Sequence, residues 1–232
     1  PRFYSAPNFL DARLTTSLAS HLIRQYGIET LFVPNGSGWF YDAVPTLRAR
    51  FPSLRIVNQV FDHNYGWINR YSPAVGELVD AHAAPNAAIA AAYRKNGVPN
   101  SKVHLIHHGI DLKDFDPAAY DRARREEARA KLGLPAGKRV VSFIARIHPQ
   151  KRPADFLRVA ENFRQDPSCV FLMVGDGPAA GEIAELAAQL RLPNLVRTSF
   201  YKPIQDVLAV TDVLVVPSEY EGLPLVLRNA LA

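Results

Sequence analysis

Short apolar runs along this chain alternate with stretches in which apolar residues recur at three- and four-residue intervals. Runs of the first kind suit strands buried on both faces and stretches of the second suit amphipathic helices, so the alternation predicts parallel strands joined by helical crossovers. In the first half the pattern predicts helix over 12–25, strand over 30–33, helix over 39–50 and strand over 55–61. Strand over 78–82, helix over 86–96 and strand over 102–106 follow. In the second half, strand 139–145 leads into helix 153–165 and strand 169–174 into helix 179–190. A short strand at 195–197 precedes strand 212–216, which leads into a terminal helix.

Between the halves the character changes. Arg122, Arg124, Arg125, Glu126, Glu127, Arg129 and Lys131 form a charged helical stretch ended by Gly133 and Pro135. The expected organisation is an N-terminal α/β domain over 1–115, a connection over 116–137 and a C-terminal α/β domain over 138–232. A solvated helix face accounts for the arginines more simply than a membrane or nucleic-acid patch.

Composition narrows the class. With 232 residues, 48% of them hydrophobic, the chain has ample material for two cores. The single cysteine, Cys169, cannot form an internal disulfide, and its place in the run 169–174 suits a buried, reduced thiol. A net charge of +5 favours anionic partners without choosing among them. Apolar runs stay short of the roughly 20 residues that a membrane span needs. The opening Pro1-Arg2-Phe3-Tyr4-Ser5 has neither an initiator methionine nor a signal pattern. The expectation is a soluble, cytoplasmic piece of a longer protein, with peripheral membrane contact left open.

Ligands of open α/β sheets bind beyond the carboxyl ends of the strands, which makes the strand-end loops informative. After 139–145 come Arg146 and Lys151, a bidentate phosphate binder and a compact point charge. After 169–174 comes Gly175-Asp176-Gly177-Pro178, where the glycines permit a tight turn and close backbone approach to a ligand; it is not the dinucleotide fingerprint G-x-G-x-x-G. After 212–216 comes Glu221-Gly222-Leu223-Pro224, followed by Leu225 and Val226, whose amides open a helix and face an anion. A carboxylate beside phosphate-binding amides suits a phosphorylated sugar.

In these motifs and their order, residues 100–232 resemble the C-terminal domain of the retaining glycosyltransferases of family four. His108-Gly109-Ile110-Asp111 is similar to that family's domain junction, with His108 in place of the usual asparagine. The resemblance implies the GT-B fold: an α/β architecture of two Rossmann-like domains whose parallel sheets face a central cleft, here with the first domain's start and the second's end missing. It also implies transfer of a sugar from a nucleotide diphosphate sugar to a glycan or lipid-linked acceptor, with no metal or other cofactor and no nucleic acid partner. Arg146 and Lys151 would stabilise the diphosphate leaving group, Glu221 would accept from donor hydroxyls, and the loop around Phe200, Tyr201 and Lys202 would lie near the base. Front-face attack by the acceptor hydroxyl would need no protein nucleophile.

In the first half the resemblance is thinner. His63, after strand 55–61, is the candidate to face the donor sugar, although the register also allows Phe61 and a loop histidine with a structural hydrogen bond is the alternative; Asp62 and Tyr65 are acceptor-side candidates with Trp67, for which buried packing is the favoured role. One departure stands out. The family's second glutamate, which binds ribose hydroxyls, is here Asn229, an acceptor without charge. That substitution keeps a second reading open: a GT-B nucleotide-sugar-binding protein with weak or no turnover.

Overall fold

The computed structural model describes residues 12–36, 38–61, 72–222 and 224–231. The chain divides between His108 and Gly109 into two units.

The first unit runs α1 (Ala12–Tyr26), β1 (Thr30–Pro34), α2 (Gly38–Arg50), β2 (Arg55–Gln59), α3 (Pro73–Leu78), β3 (Ala81–Ala84), α4 (Ala87–Lys95) and β4 (Val103–Leu105). Its four strands pair in the order β1-β2-β3-β4, all parallel. Phe40, Val44 and Leu47 of α2 pack with Ile56 and with Ile89 and Tyr93 of α4. The buried Asn58 side chain is satisfied: it accepts from the Tyr41 hydroxyl at 3.0 Å and donates to that of Tyr93 at 3.3 Å.

The strand expected over 78–82 is displaced. Ser72 accepts from Val75 N–H at 3.3 Å and Pro73 enters the first turn, so a short helix occupies 73–78 and the strand begins at Ala81. The carbonyls that end this helix are bound by Lys102 Nζ, at 3.2 Å from Gly76 and 3.1 Å from Glu77.

The second unit runs α5 (Arg122–Lys131), β5 (Arg139–Ile144), a 3-10 turn (Pro149–Lys151), α6 (Pro153–Asn162), β6 (Cys169–Val174), α7 (Ala180–Leu190), β7 (Leu195–Thr198), α8 (Ile204–Val210), β8 (Val213–Leu214) and α9 (Leu225–Ala230). The sheet order is β7-β6-β5-β8, again parallel. β6 is buried at every position, as a strand covered on both faces must be. Its alternation sorts the core: Cys169, Phe171 and Met173 pack with α6 and α7, while Val170, Leu172 and Val174 pack with α5 and α8.

The charged helix α5 is therefore part of this unit, through buried Ala128 and the following Leu132 and Leu134. Its end has the Schellman geometry: Gly133 has φ 67° and Leu134 N–H donates to Arg129 O at 2.9 Å. Arg124, Arg125 and Arg129 donate to main-chain carbonyls of Ala119, Tyr120, Pro135 and Lys138, so three of its arginines are engaged within the chain. The helix α8 has no counterpart in the expectations, and β8 pairs over only two residues where five were expected.

Candidate functional site

The order β7-β6-β5-β8 means that the chain moves outward from β5 to β7 and then returns to place β8 on the other side of β5. Such a reversal opens a crevice at the carboxyl ends of the two strands where it occurs, here β5 and β8. The loops that leave those ends carry Arg146 and Lys151 on one side and Glu221 on the other.

Two cavities meet there and share Ile144, Ala145 and Arg146 as a common wall. The larger, about 870 Å³, is lined by Gly175 and Asp176 after β6 and by Phe200, Tyr201 and Lys202 after β7. The smaller, about 280 Å³, is lined by Lys151, Glu221, Pro224, Leu225 and Val226. Arg146 is exposed on the dividing wall and makes no hydrogen bond or ion pair among the described residues.

In the smaller cavity Lys151 Nζ lies 2.6 Å from Glu221 Oε1, with both side chains about one fifth exposed (20% and 21%). The expected phosphate cation and the expected sugar acceptor are thus each other's partner. The loops that bear them are tied again beside the pair: Glu219 N–H donates to Gln150 O at 2.9 Å and Gln150 Nε2 to Tyr220 O at 3.1 Å. Pro224 precedes α9 with no side-chain cap on the helix.

In the larger cavity the glycine turn has a different neighbour from the one expected. A Cβ at Gly175 would stand 1.9 Å from the Ala145 carbonyl oxygen, and one at Gly177 would stand 2.4 Å from that of Ile147. The close approach is to the chain's own β5 loop, and Ile147 N–H donating to Asp176 O at 2.8 Å stitches the two loops together. The glycines let the two loops close on each other beside Arg146, whose Cγ would stand 3.0 Å from a Cβ at Gly177. Opposite them, Phe200 is 72% exposed, with Lys202 Nζ 5.3 Å from its ring centroid.

Tyr201 is held from behind. Its hydroxyl donates to Asp206 Oδ2 at 3.4 Å and the Tyr120 hydroxyl donates to Oδ1 at 2.7 Å, with Asp206 buried in the first turn of α8. Burial first, then the Asp206 carboxylate, pushes both phenol pKa values up, so both remain donors.

Asn229, expected at the ribose, lines neither cavity at Arg146. It lines a third, of about 410 Å³, with Tyr120, Leu208 and Leu214, and its Oδ1 is buried without a hydrogen-bond partner among the described residues. Four residues of helix carry it about 6 Å along the axis from Leu225, away from the strand ends. His63, Asp62, Tyr65, Trp67 and Leu223 lie outside the described residues. His108 packs at the end of β2, with Nε2 3.2 Å from Gln59 Nε2 and its ring 5.2 Å from that of Phe61.

Sequence reasoning left out Gln150 and Asp206. Gln150 could have been noticed as the polar residue that precedes Lys151 in the same turn. Asp206 was signalled by an acidic residue three places after Pro203, the pattern of a helix start. No helix among the described residues is long and apolar enough to cross a membrane.

Comparison with known proteins agrees with this geometry. The chain is similar to "Putative glycosyltransferase EpsF" of Bacillus subtilis (strain 168), at 32% identity over 142 residues, covering 60% of this chain and 36% of that protein. It is similar to the "UDP-Gal:alpha-D-GlcNAc-diphosphoundecaprenol alpha-1,3-galactosyltransferase" of Escherichia coli, at 31% over 134 residues, covering 56% and 34%. The chain thus spans about a third of the length of these curated relatives. The crystal structure of Anabaena Alr3699/HepE in complex with UDP is similar with a TM-score of 0.74 at 16% identity, over 93% of this chain and 60% of that one. That likeness shows the fold, GT-B with Rossmann-like α/β units. A family model described as "Glycosyl transferases group 1" matches residues 124–232, a segment that includes Arg146, Lys151 and Glu221 and is similar to that family.

Proposed function

We propose that this chain carries the donor site of a retaining, metal-independent glycosyltransferase that moves a sugar from a nucleotide diphosphate sugar to a glycan or lipid-linked acceptor. The observation that carries the reading is the pair of cavities on either side of Arg146, one walled by aromatic residues and the other by Lys151, Glu221 and the start of α9. A ligand with a flat, apolar end, a central anion and a hydroxyl-rich end matches that sequence of surfaces. The UDP held by the structural neighbour and the UDP-Gal and diphosphoundecaprenol named for the E. coli relative support the same choice of donor and acceptor classes.

In this reading the base lies against Phe200, Tyr201 and Lys202, and the diphosphate lies at Arg146 and Lys151 with the Leu225 and Val226 amides. Glu221 accepts from sugar hydroxyls. The bond from the anomeric carbon to the phosphate oxygen breaks as the acceptor oxygen bonds to the same face of that carbon. The acceptor proton passes to the departing phosphate. Two cations at the leaving group supply the charge stabilisation that a metal supplies elsewhere.

Titration of the full-length protein with UDP, GDP and ADP sugars tests the reading, which fails if none binds. The position of Asn229 in a separate cavity favours one alternative, a nucleotide-sugar-binding protein without turnover. Binding with neither transfer nor donor hydrolysis would select it.

A further inference from the structure

The pairing of β5 with β8 covers only Val141 with Val213 and Ser142 with Leu214, and Val215 N–H adds one more bond to Ser142 O at 2.8 Å. Beyond that point the two chains separate into loops. Lys151 and Glu221 each stand several residues past the sheet, where no ladder fixes one loop against the other. A 2.6 Å contact between side chains at such a distance from the strands requires a brace.

Gln150 is placed to be that brace. Its N–H donates to His148 Nδ1 at 3.2 Å, which fixes the 3-10 turn. Its carbonyl takes the Glu219 N–H, and its amide Nε2 donates to the Tyr220 carbonyl at 3.1 Å. One residue thus engages the two positions that immediately precede Glu221 while being covalently next to Lys151. Gln150 lines neither cavity at Arg146 and so acts on a ligand only through its neighbours.

We propose that Gln150 is a positioning residue that holds Glu221 in register with Lys151, so that the site rewards a sugar attached to the phosphate and not the phosphate alone. The proposal rests on the donor-site reading above. With Gln150 in place, Lys151 at the phosphate leaves Glu221 within reach of the first hydroxyls of the attached sugar. Without the Nε2 bond, the loop of Glu221 loses its side-chain tie to the turn of Lys151 and the carboxylate drifts from that position.

The test compares binding of UDP, GDP and ADP with binding of their glucose esters, in the full-length protein. The readout is the preference for the ester over the bare diphosphate. Gln150→Leu, similar in size but without the donor, is expected to reduce that preference about five- to ten-fold without weakening affinity for the bare diphosphate. Gln150→Asn, which keeps the amide but withdraws it by one methylene, is expected to reduce it as well and serves if the leucine variant does not fold. In a Glu221→Gln background the loss at Gln150 is expected to shrink below two-fold, because its effect runs through the Glu221 carboxylate. A preserved preference in both Gln150 variants, or a loss that adds in full to that of Glu221→Gln, overturns the proposal and leaves the donor site standing. Absence of binding to the wild type overturns the donor-site reading and this proposal together.

Discussion

Lys151 Nζ and Glu221 Oε1 are 2.6 Å apart across two loops, so each neutralises the other before any ligand arrives. On the donor-site reading proposed above, a diphosphate must take Lys151 from Glu221, and a bare diphosphate leaves the carboxylate facing a new anion. Glu221→Gln is therefore expected to tighten binding of a bare nucleoside diphosphate about three- to five-fold, the scale of one partly buried ion pair. The same change is expected to weaken the advantage of the sugar ester. Calorimetric titration of both ligands checks the two signs together.

Arg146 makes no hydrogen bond or ion pair among the described residues and is exposed, so on the donor-site reading its removal takes away a ligand contact and disturbs no other one. Arg146→Ala is expected to lower transfer by about 10²-fold, the scale of losing one preorganised charge at a leaving group. The midpoint of thermal unfolding is expected to move by less than about 2 °C. A large fall in stability would instead place Arg146 among the structural residues.

Gly175 presents the opposite case. Its missing Cβ would meet the Ala145 carbonyl oxygen at 1.9 Å, and both residues are held by backbone bonds at the strand ends, Ala145 N–H to Val174 O and Gly175 N–H to Thr198 O, which leaves little room to relieve the clash. Gly175→Ala is expected to destabilise the second unit by about 3 kcal/mol or more, read as a shift in denaturant midpoint. Loss of nucleotide binding without loss of stability would contradict this account.

His82 on β3 is fully buried, and burial first, then the positive charges of Lys102 and His104, pushes its pKa down to about 4. The unfolded chain takes up that proton near pH 6.5, while the folded first unit resists it until about 4. Between these values the unfolded state binds more protons, so stability is full above pH 6.5 and falls as the pH drops. The loss is expected to reach the order of 3 kcal/mol near pH 4. Urea unfolding of wild type and His82→Asn at pH 7.5 and 5 checks it: the variant should have the shallower pH dependence.

How much of this was legible beforehand varied with the kind of interaction involved. Six successive apolar residues at 169–174 mark a strand covered on both faces, and that strand is where it was expected. The strand-end cations and Glu221 were legible because a parallel sheet sends every such loop to the same edge. Gly175 was misjudged in one respect: a glycine signals that something approaches closely, but not what, and here the neighbour is the chain itself. The helices α3 and α8 are six and seven residues long, too short for a periodic pattern to rise above the strand-like residues Val79 and Val210 at their ends. Asn229 was assigned by its distance along the chain from Glu221, whereas its surroundings depend on how the short helix α9 lies against α8.

Because one short wall, Ile144 to Arg146, serves both cavities, a ligand that fills them sits astride it as a rider sits a saddle. Each leg then meets its own set of side chains, with Phe200 on one flank and Leu225 on the other. Selection at the two ends is separable, so exchanging residues on one flank should retune one half of the ligand and leave the grip on the other half unchanged.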